Sequence, residues 1–144
     1  MEKEKILVSA CFLKEGYKYS GGANINNKIS KLAEKYEFIL ICPEVEGGLS
    51  TPRRPSEIVG NKVVNNIGED VTTEFNRGAQ LALEAARKNN CTKAILKAKS
   101  PSCGKGMIYD GTFSHKTIKG NGVAAQLLID NGIEVYTEDE LDNL

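Results

Sequence analysis

No two of the four cysteines in this chain form a CxxC pair. The local patterns of zinc ribbons, ferredoxin-type clusters and thioredoxin-like redox pairs are therefore missing. Charge of one sign is lacking too. Nineteen Lys and Arg balance nineteen Asp and Glu, and the pI is near 6.6. That argues against a general electrostatic footprint for nucleic acid, and no nucleic-acid partner is expected. No apolar run approaches the roughly 20 residues of a membrane span. Met1-Glu2-Lys3-Glu4-Lys5 leads straight into a candidate strand with no signal-peptide core ahead of it. The expectation is a cytoplasmic protein without membrane association, whose thiols stay reduced and free for metals or chemistry. Repeats, linkers and low-complexity segments are absent. The 144 residues, 40% hydrophobic, read as one domain, 1–144, large enough to bury its own core.

What is present is an alternation of short apolar runs with helical patterns. Strands are expected at Lys5–Ala10, Phe38–Ile41, Lys93–Lys97 and Glu134–Thr137. Between them, apolar residues at helical spacing predict helices near Asn26–Tyr36, near Val71–Lys88 with Asp70 as N-cap, and near Gly122–Asp130 with Gly132 closing it. Lys62–Asn65 reads as a short strand or half of a hairpin, and Glu138–Leu144 as a terminal helical turn or a frayed end. This order predicts an α/β fold, a three-layer, Rossmann-like domain with a largely parallel sheet. Two stretches, Pro43 to Gly60 and Ala98 to Gly122, read as long loops of the kind that carry function.

Three cysteines fall at equivalent points of this pattern. Cys11 follows the first strand, Cys42 the second, and Cys103 lies just past the third. In open α/β sheets, ligands bind outside the carboxyl ends of the strands. Three thiols at that edge point to a soft-metal or iron–sulfur site. The bland alternative is three unrelated buried cysteines, since free cysteine is among the most buried residue types. Cys91 precedes its strand and belongs at the opposite edge.

The flanking loops carry further chemistry. Glu44 stands two residues beyond Cys42 and is a candidate general acid or base, against the commoner fate of a solvated loop carboxylate. Glu46 and Asp110 are next in line as proton carriers. Arg53 and Arg54 are able to hold a carboxylate or phosphate, or equally to sit in a solvated turn. The single histidine, His115, has no base–nucleophile pair near it and reads as a surface-loop residue.

Five motifs in order, Val8-Ser9-Ala10-Cys11, Cys42-Pro43-Glu44-Val45-x-Gly47-Gly48-Leu49, Thr51-Pro52-Arg53-x-Pro55-x-Glu57-Ile58, Ser100-Pro101-Ser102-Cys103-Gly104 and Tyr109-Asp110-Gly111-Thr112-Phe113, resemble the thiouracil desulfidase (TudS) family. The likeness runs from Val8 to about Val135. It implies a 4Fe–4S cluster on Cys11, Cys42 and Cys103 with one iron not ligated by protein, and catalytic roles for Glu44 and Ser100. It also implies a small-molecule partner, a thiolated pyrimidine base such as 2-thiouracil, converted without redox change to the oxygenated base and hydrogen sulfide. The first loop departs from the family pattern: Tyr17, Lys18 and Ser20 stand where members often carry cysteine, arginine and aspartate. Two other functions fit a three-cysteine cluster: a sulfur carrier that passes sulfide to another acceptor, and a non-catalytic iron–sulfur sensor. A sensor needs no acid beside the cluster, so Glu44 separates it from the enzyme reading.

Overall fold

The structure, a computed structural model, describes residues 3–144. In chain order its strands are β1 (Glu4–Ser9), β2 (Tyr36–Ile41), β3 (Ser56–Val59), β4 (Lys62–Asn65), β5 (Lys93–Leu96), β6 (Met107–Tyr109), β7 (Thr117–Lys119) and β8 (Glu134–Thr137). Its α-helices are α1 (Asn27–Lys31), α2 (Pro43–Glu46), α3 (Thr72–Lys88) and α4 (Val123–Asp130). The four strands expected from the apolar runs form one parallel sheet in the order β2-β1-β5-β8. β1 sends the chain outward to β2 on one side, and β5 and β8 follow on the other. The order thus reverses between β1 and β5, and this is where such sheets open a crevice at their carboxyl ends.

Alternation along β1 fixes the layers. Ile6 and Val8 face one side, with Ile95, Tyr36, Phe12 and Ile29 of α1. Leu7 faces the other, with Ala82, Leu83 and Ala86 of α3 and Ala125 and Leu128 of α4. Helix α3 buries Phe75, Gly78, Ala79, Ala82, Leu83 and Ala86, three or four residues apart, against sheet and α4. The small alanines let the two helices approach closely.

Several boundaries differ from the sequence expectation. The first helix is only five residues of α-helix, capped by the Asn26 side chain on the Ile29 N–H (3.1 Å), and it tightens into a 3₁₀ turn at Leu32–Glu34. Helix α3 begins at Thr72, so Asp70 is not the N-cap residue itself, although its Oδ1 still accepts the Thr72 N–H at 2.9 Å. Asp70 instead bridges to Val64 of β4. Neither long loop is irregular throughout. The first holds α2 and an antiparallel hairpin of β3 with β4, and the second holds the β6–β7 hairpin. Strands of three or four residues are too short to reveal a two-residue period. Glu138–Leu144 ends in a 3₁₀ turn at Leu141–Asn143.

Candidate active site

A cavity of about 540 Å³ opens at the carboxyl edge of the sheet. Its walls include Ser9, Ala10 and Cys11 after β1, Cys42, Pro43 and Glu44 after β2, and Lys97, Ala98 and Ser100–Cys103 after β5. Cys11, Cys42, Cys103, Glu44 and Ser100 therefore face one space.

Each thiol is held by its local backbone. Cys11 sits in a 3₁₀ turn, Ala10–Phe12, whose two buried neighbours anchor it. Its carbonyl accepts the Asn24 N–H at 2.7 Å, which folds the glycine-rich loop back over the strand end. Cys42 is the N-cap residue of α2. Pro43 occupies the first helical position, where its missing N–H costs nothing, and the Glu46 carboxylate accepts the Cys42 N–H at 3.0 Å. Glu46 is thus spent on the helix end. Cys103 belongs to a loop stapled onto α4: the N–H groups of Val123 and Ala124 donate to the carbonyls of Pro101 and Ser102 at 2.8 and 2.9 Å. Those carbonyls serve helix-end donors that have no side-chain cap. Cys103 is buried, and Ser9 Oγ donates to its Sγ at 3.5 Å. Cys91, by contrast, is buried at the amino edge beside the start of β1, outside the cavity.

Burial pushes all three cavity thiols up in pKa. For Cys11 the Asn24 hydrogen bond and the Lys97 charge oppose burial without cancelling it. Cys103 is pushed up to about 12, mainly by burial, and the neighbouring Cys42 and Cys11 add to the shift while Ser9 and Ser102 oppose it. Three such thiols become thiolates together only when a cation joins them, with release of protons. Thiolates are soft ligands, and three of them lining one cavity suit a soft metal or an iron–sulfur cluster.

Beside the thiols lies a network of charged and hydroxyl groups. Glu44 Oε1 accepts from Arg53 Nε at 3.0 Å, and both side chains are largely buried, 15% and 7% exposed. Arg53 also donates to the Tyr17 carbonyl at 2.9 Å and to Thr51 Oγ1 at 3.1 Å. Of the two arginines considered from sequence, Arg53 therefore holds a carboxylate of this chain, whereas Arg54 lies exposed against Asn66. Glu44 Oε2 accepts from Ser102 Oγ at 3.0 Å, and Ser102 Oγ lies 3.0 Å from Ser100 Oγ. Ser100 Oγ in turn accepts the N–H groups of Ser102 and Cys103, each at 3.1 Å.

Sequence reasoning missed Ser9, Ser102 and Glu57. Glu57 is buried in β3 and accepts the N–H groups of Gly111 and Phe113 at 3.0 and 3.1 Å, gripping the β6–β7 turn that brings Phe113 and His115 to the cavity. All three stand inside the family-like motifs, and that position was the only available signal. His115 is exposed, as a surface-loop residue, yet lies on the cavity rim. Asp110 is spent on Thr112 and does not reach the cavity.

A solved structure of a 4Fe–4S-dependent thiouracil desulfidase, TudS, superposes with a TM-score of 0.91 at 44% identity, over 99% of this chain and 95% of that one. YbbK, an uncharacterised protein of Bacillus subtilis (strain 168), is 43% identical over 149 residues, covering 96% of this chain and 99% of its own length. The family model described as 2-thiouracil desulfurase matches residues 6–140, which include most of β1, the three cavity cysteines and both long loops. With that match spanning nearly the whole fold, the chain belongs to the 2-thiouracil desulfurase family.

Proposed function

We propose that the protein is a 4Fe–4S-dependent thiouracil desulfidase that hydrolyses the C–S bond of a thiolated pyrimidine base, giving the oxygenated base and hydrogen sulfide. The observation that carries this reading is the meeting of three thiols with the clamped Glu44 carboxylate in one cavity at the sheet's carboxyl edge. A sensor has no need of an acid–base group held in that position.

Cys11, Cys42 and Cys103 would hold the cluster, one thiolate to an iron, leaving one iron without a protein ligand. When bound, the cluster supplies a Lewis acid for the soft sulfur of a thiocarbonyl. The remaining steps belong to the protein. Arg53 fixes Glu44 so that its carboxylate faces the cavity and takes a proton from the attacking water. Ser100 lines the same cavity and has both lone-pair sides of its oxygen engaged by backbone N–H groups, so its hydrogen is what it has to give. The reaction needs no electrons: one water enters and one hydrogen sulfide leaves.

The test is anaerobic reconstitution with iron and sulfide, followed by sulfide release from 2-thiouracil. The wild-type holoprotein should turn over. Glu44→Gln should keep its iron content and its substrate-induced absorbance change but lose about 10²-fold or more in kcat. A Glu44→Gln holoprotein as active as wild type would exclude the acid–base role, and a wild-type holoprotein that releases no sulfide would exclude the activity.

A further inference from the structure

We infer that Ser9 tunes the cluster proposed above, on which this inference rests, by donating its hydroxyl hydrogen to the sulfur of Cys103. Ser9 closes β1 and stands at the N-cap position of the Ala10–Phe12 turn, yet its hydroxyl caps nothing there. It reaches instead across 94 positions to Cys103 Sγ, at 3.5 Å. The direction of that contact follows from a second one. The Lys97 N–H donates to Ser9 Oγ at 3.2 Å, so the oxygen serves as acceptor on that side and its one hydrogen is left for the sulfur. Ser102 Oγ lies 3.6 Å from the same sulfur, but its one hydrogen has a nearer acceptor in Glu44 Oε2, at 3.0 Å. Ser9 is therefore the hydroxyl that serves Cys103.

Burial gives this bond its weight. Cys11 and Cys42 are partly exposed, and cavity water is available to them as a donor. Cys103 is 5% exposed and Ser9 only 3%, so the protein itself has to supply the donor there. Away from water a hydrogen bond is electrostatically stronger, and no solvent molecule takes its place when it is lost. A ligand thiolate is richer in electrons than a thiol, so the bond becomes charge-assisted once Cys103 holds iron. A donor on that sulfur draws electron density away from the iron it serves. Hydrogen bonds to ligand sulfurs are among the factors that set iron–sulfur potentials, and a donor favours the more electron-rich state. Ser9 thus makes the cluster easier to reduce and harder to oxidise. For a reaction that consumes no electrons, the useful side is the second: resistance to oxidation, together with an iron kept strongly Lewis-acidic.

The test compares reconstituted holoproteins by potential and vibration rather than by turnover. Ser9→Ala should bind the same iron and labile sulfide as wild type. Its one-electron reduction, followed by dye-mediated titration, should become about tenfold less favourable, a potential about 59 mV lower. Its Fe–S(Cys) stretching bands in resonance Raman spectra should move to higher wavenumber as the iron–Cys103 bond tightens. The substitution also strips the Lys97 N–H of its acceptor, so a second pair separates the hydrogen bond from packing. Ser9→Thr and Ser9→Val are nearly equal in shape and differ in the hydroxyl. Ser9→Thr should keep the wild-type potential, and Ser9→Val should fall with Ser9→Ala. In wild type, transfer into deuterium oxide should shift the Fe–S(Cys) bands, a measurement that needs no variant to fold. A wild-type potential in Ser9→Ala, equal potentials in Ser9→Thr and Ser9→Val, or bands indifferent to deuterium would each overturn the role of Ser9. A wild-type protein that assembles no cluster would overturn the underlying reading instead, and is recognised before any variant is made.

Discussion

Gly78, in the middle of α3, lies directly against Pro43, the residue that follows Cys42 and precedes Glu44. A Cβ at position 78 would fall on the Pro43 carbonyl. The contact sets how closely the short helix α2 approaches α3, and through it the position of the Glu44 carboxylate. Gly78→Ala should force α2 away and cost about 1–3 kcal/mol, as overpacking of a tight contact does. Urea unfolding should report that loss, and kcat/KM for sulfide release should fall in the same variant, although position 78 does not line the cavity. An unchanged kcat/KM would mean that Glu44 tolerates the shift.

The cysteines should divide cleanly. Cys11→Ala, Cys42→Ala and Cys103→Ala should each lose the visible absorbance of a cubane cluster together with turnover. Cys91→Ala should keep both, because Cys91 lies at the amino edge of the sheet. Iron and labile-sulfide analysis of the four reconstituted proteins settles the matter, and an intact cluster in Cys42→Ala would sink the ligand assignment.

Arg53 holds Glu44 and the Tyr17 carbonyl at once, tying the first loop to the segment after α2. Truncating one member of a largely buried ion pair leaves the other uncompensated, at a typical cost of about 3 kcal/mol. Arg53→Ala should therefore lower the midpoint of urea unfolding and reduce kcat. Arg53→Lys should recover part of the stability but not the two-way grip, since an ammonium lacks the planar fork of a guanidinium. Equal kcat in Arg53→Lys and wild type would show that the charge alone suffices.

Acid should weaken the carboxyl end of the chain before the core gives way. Burial raises the Glu140 carboxyl, but the hydrogen bonds from Lys105 (2.9 Å) and the Thr137 N–H (3.1 Å) outweigh it, and its pKa lies below the ordinary glutamate value. A depressed carboxyl stabilises the fold above its unfolded pKa, near 4.3, and that contribution is lost as pH falls through the lower folded value. The pair is partly exposed, about one third on each side chain, so the effect should stay under about 1 kcal/mol. Lys105→Met should reduce stability at pH 7 and narrow the difference between pH 7 and pH 3 in urea titrations; an undiminished difference would locate the acid sensitivity elsewhere.

Sequence by itself determined the sheet and its edge. Four apolar runs separated by helical patterns have few ways to pack except as a parallel sheet between helices, and a cysteine just past a strand must lie at that strand's carboxyl end. The opposite placement of Cys91 followed from the same rule. The motif order also carried the family. Tertiary structure alone decided the rest. Ser102 and Glu44 stand 58 positions apart, and nothing local to either distinguishes a buried serine that donates to Glu44 from a loop serine. Glu57 falls in a stretch that reads in sequence as a long loop, and only the fold brings the two N–H groups of the β6–β7 turn to it. Arg53 had two readings, and only the approach of Glu44 chose between them. A strand or helix is encoded by residues that are neighbours in the chain, whereas hydrogen bonds between loops depend on where the sheet and helices deliver them.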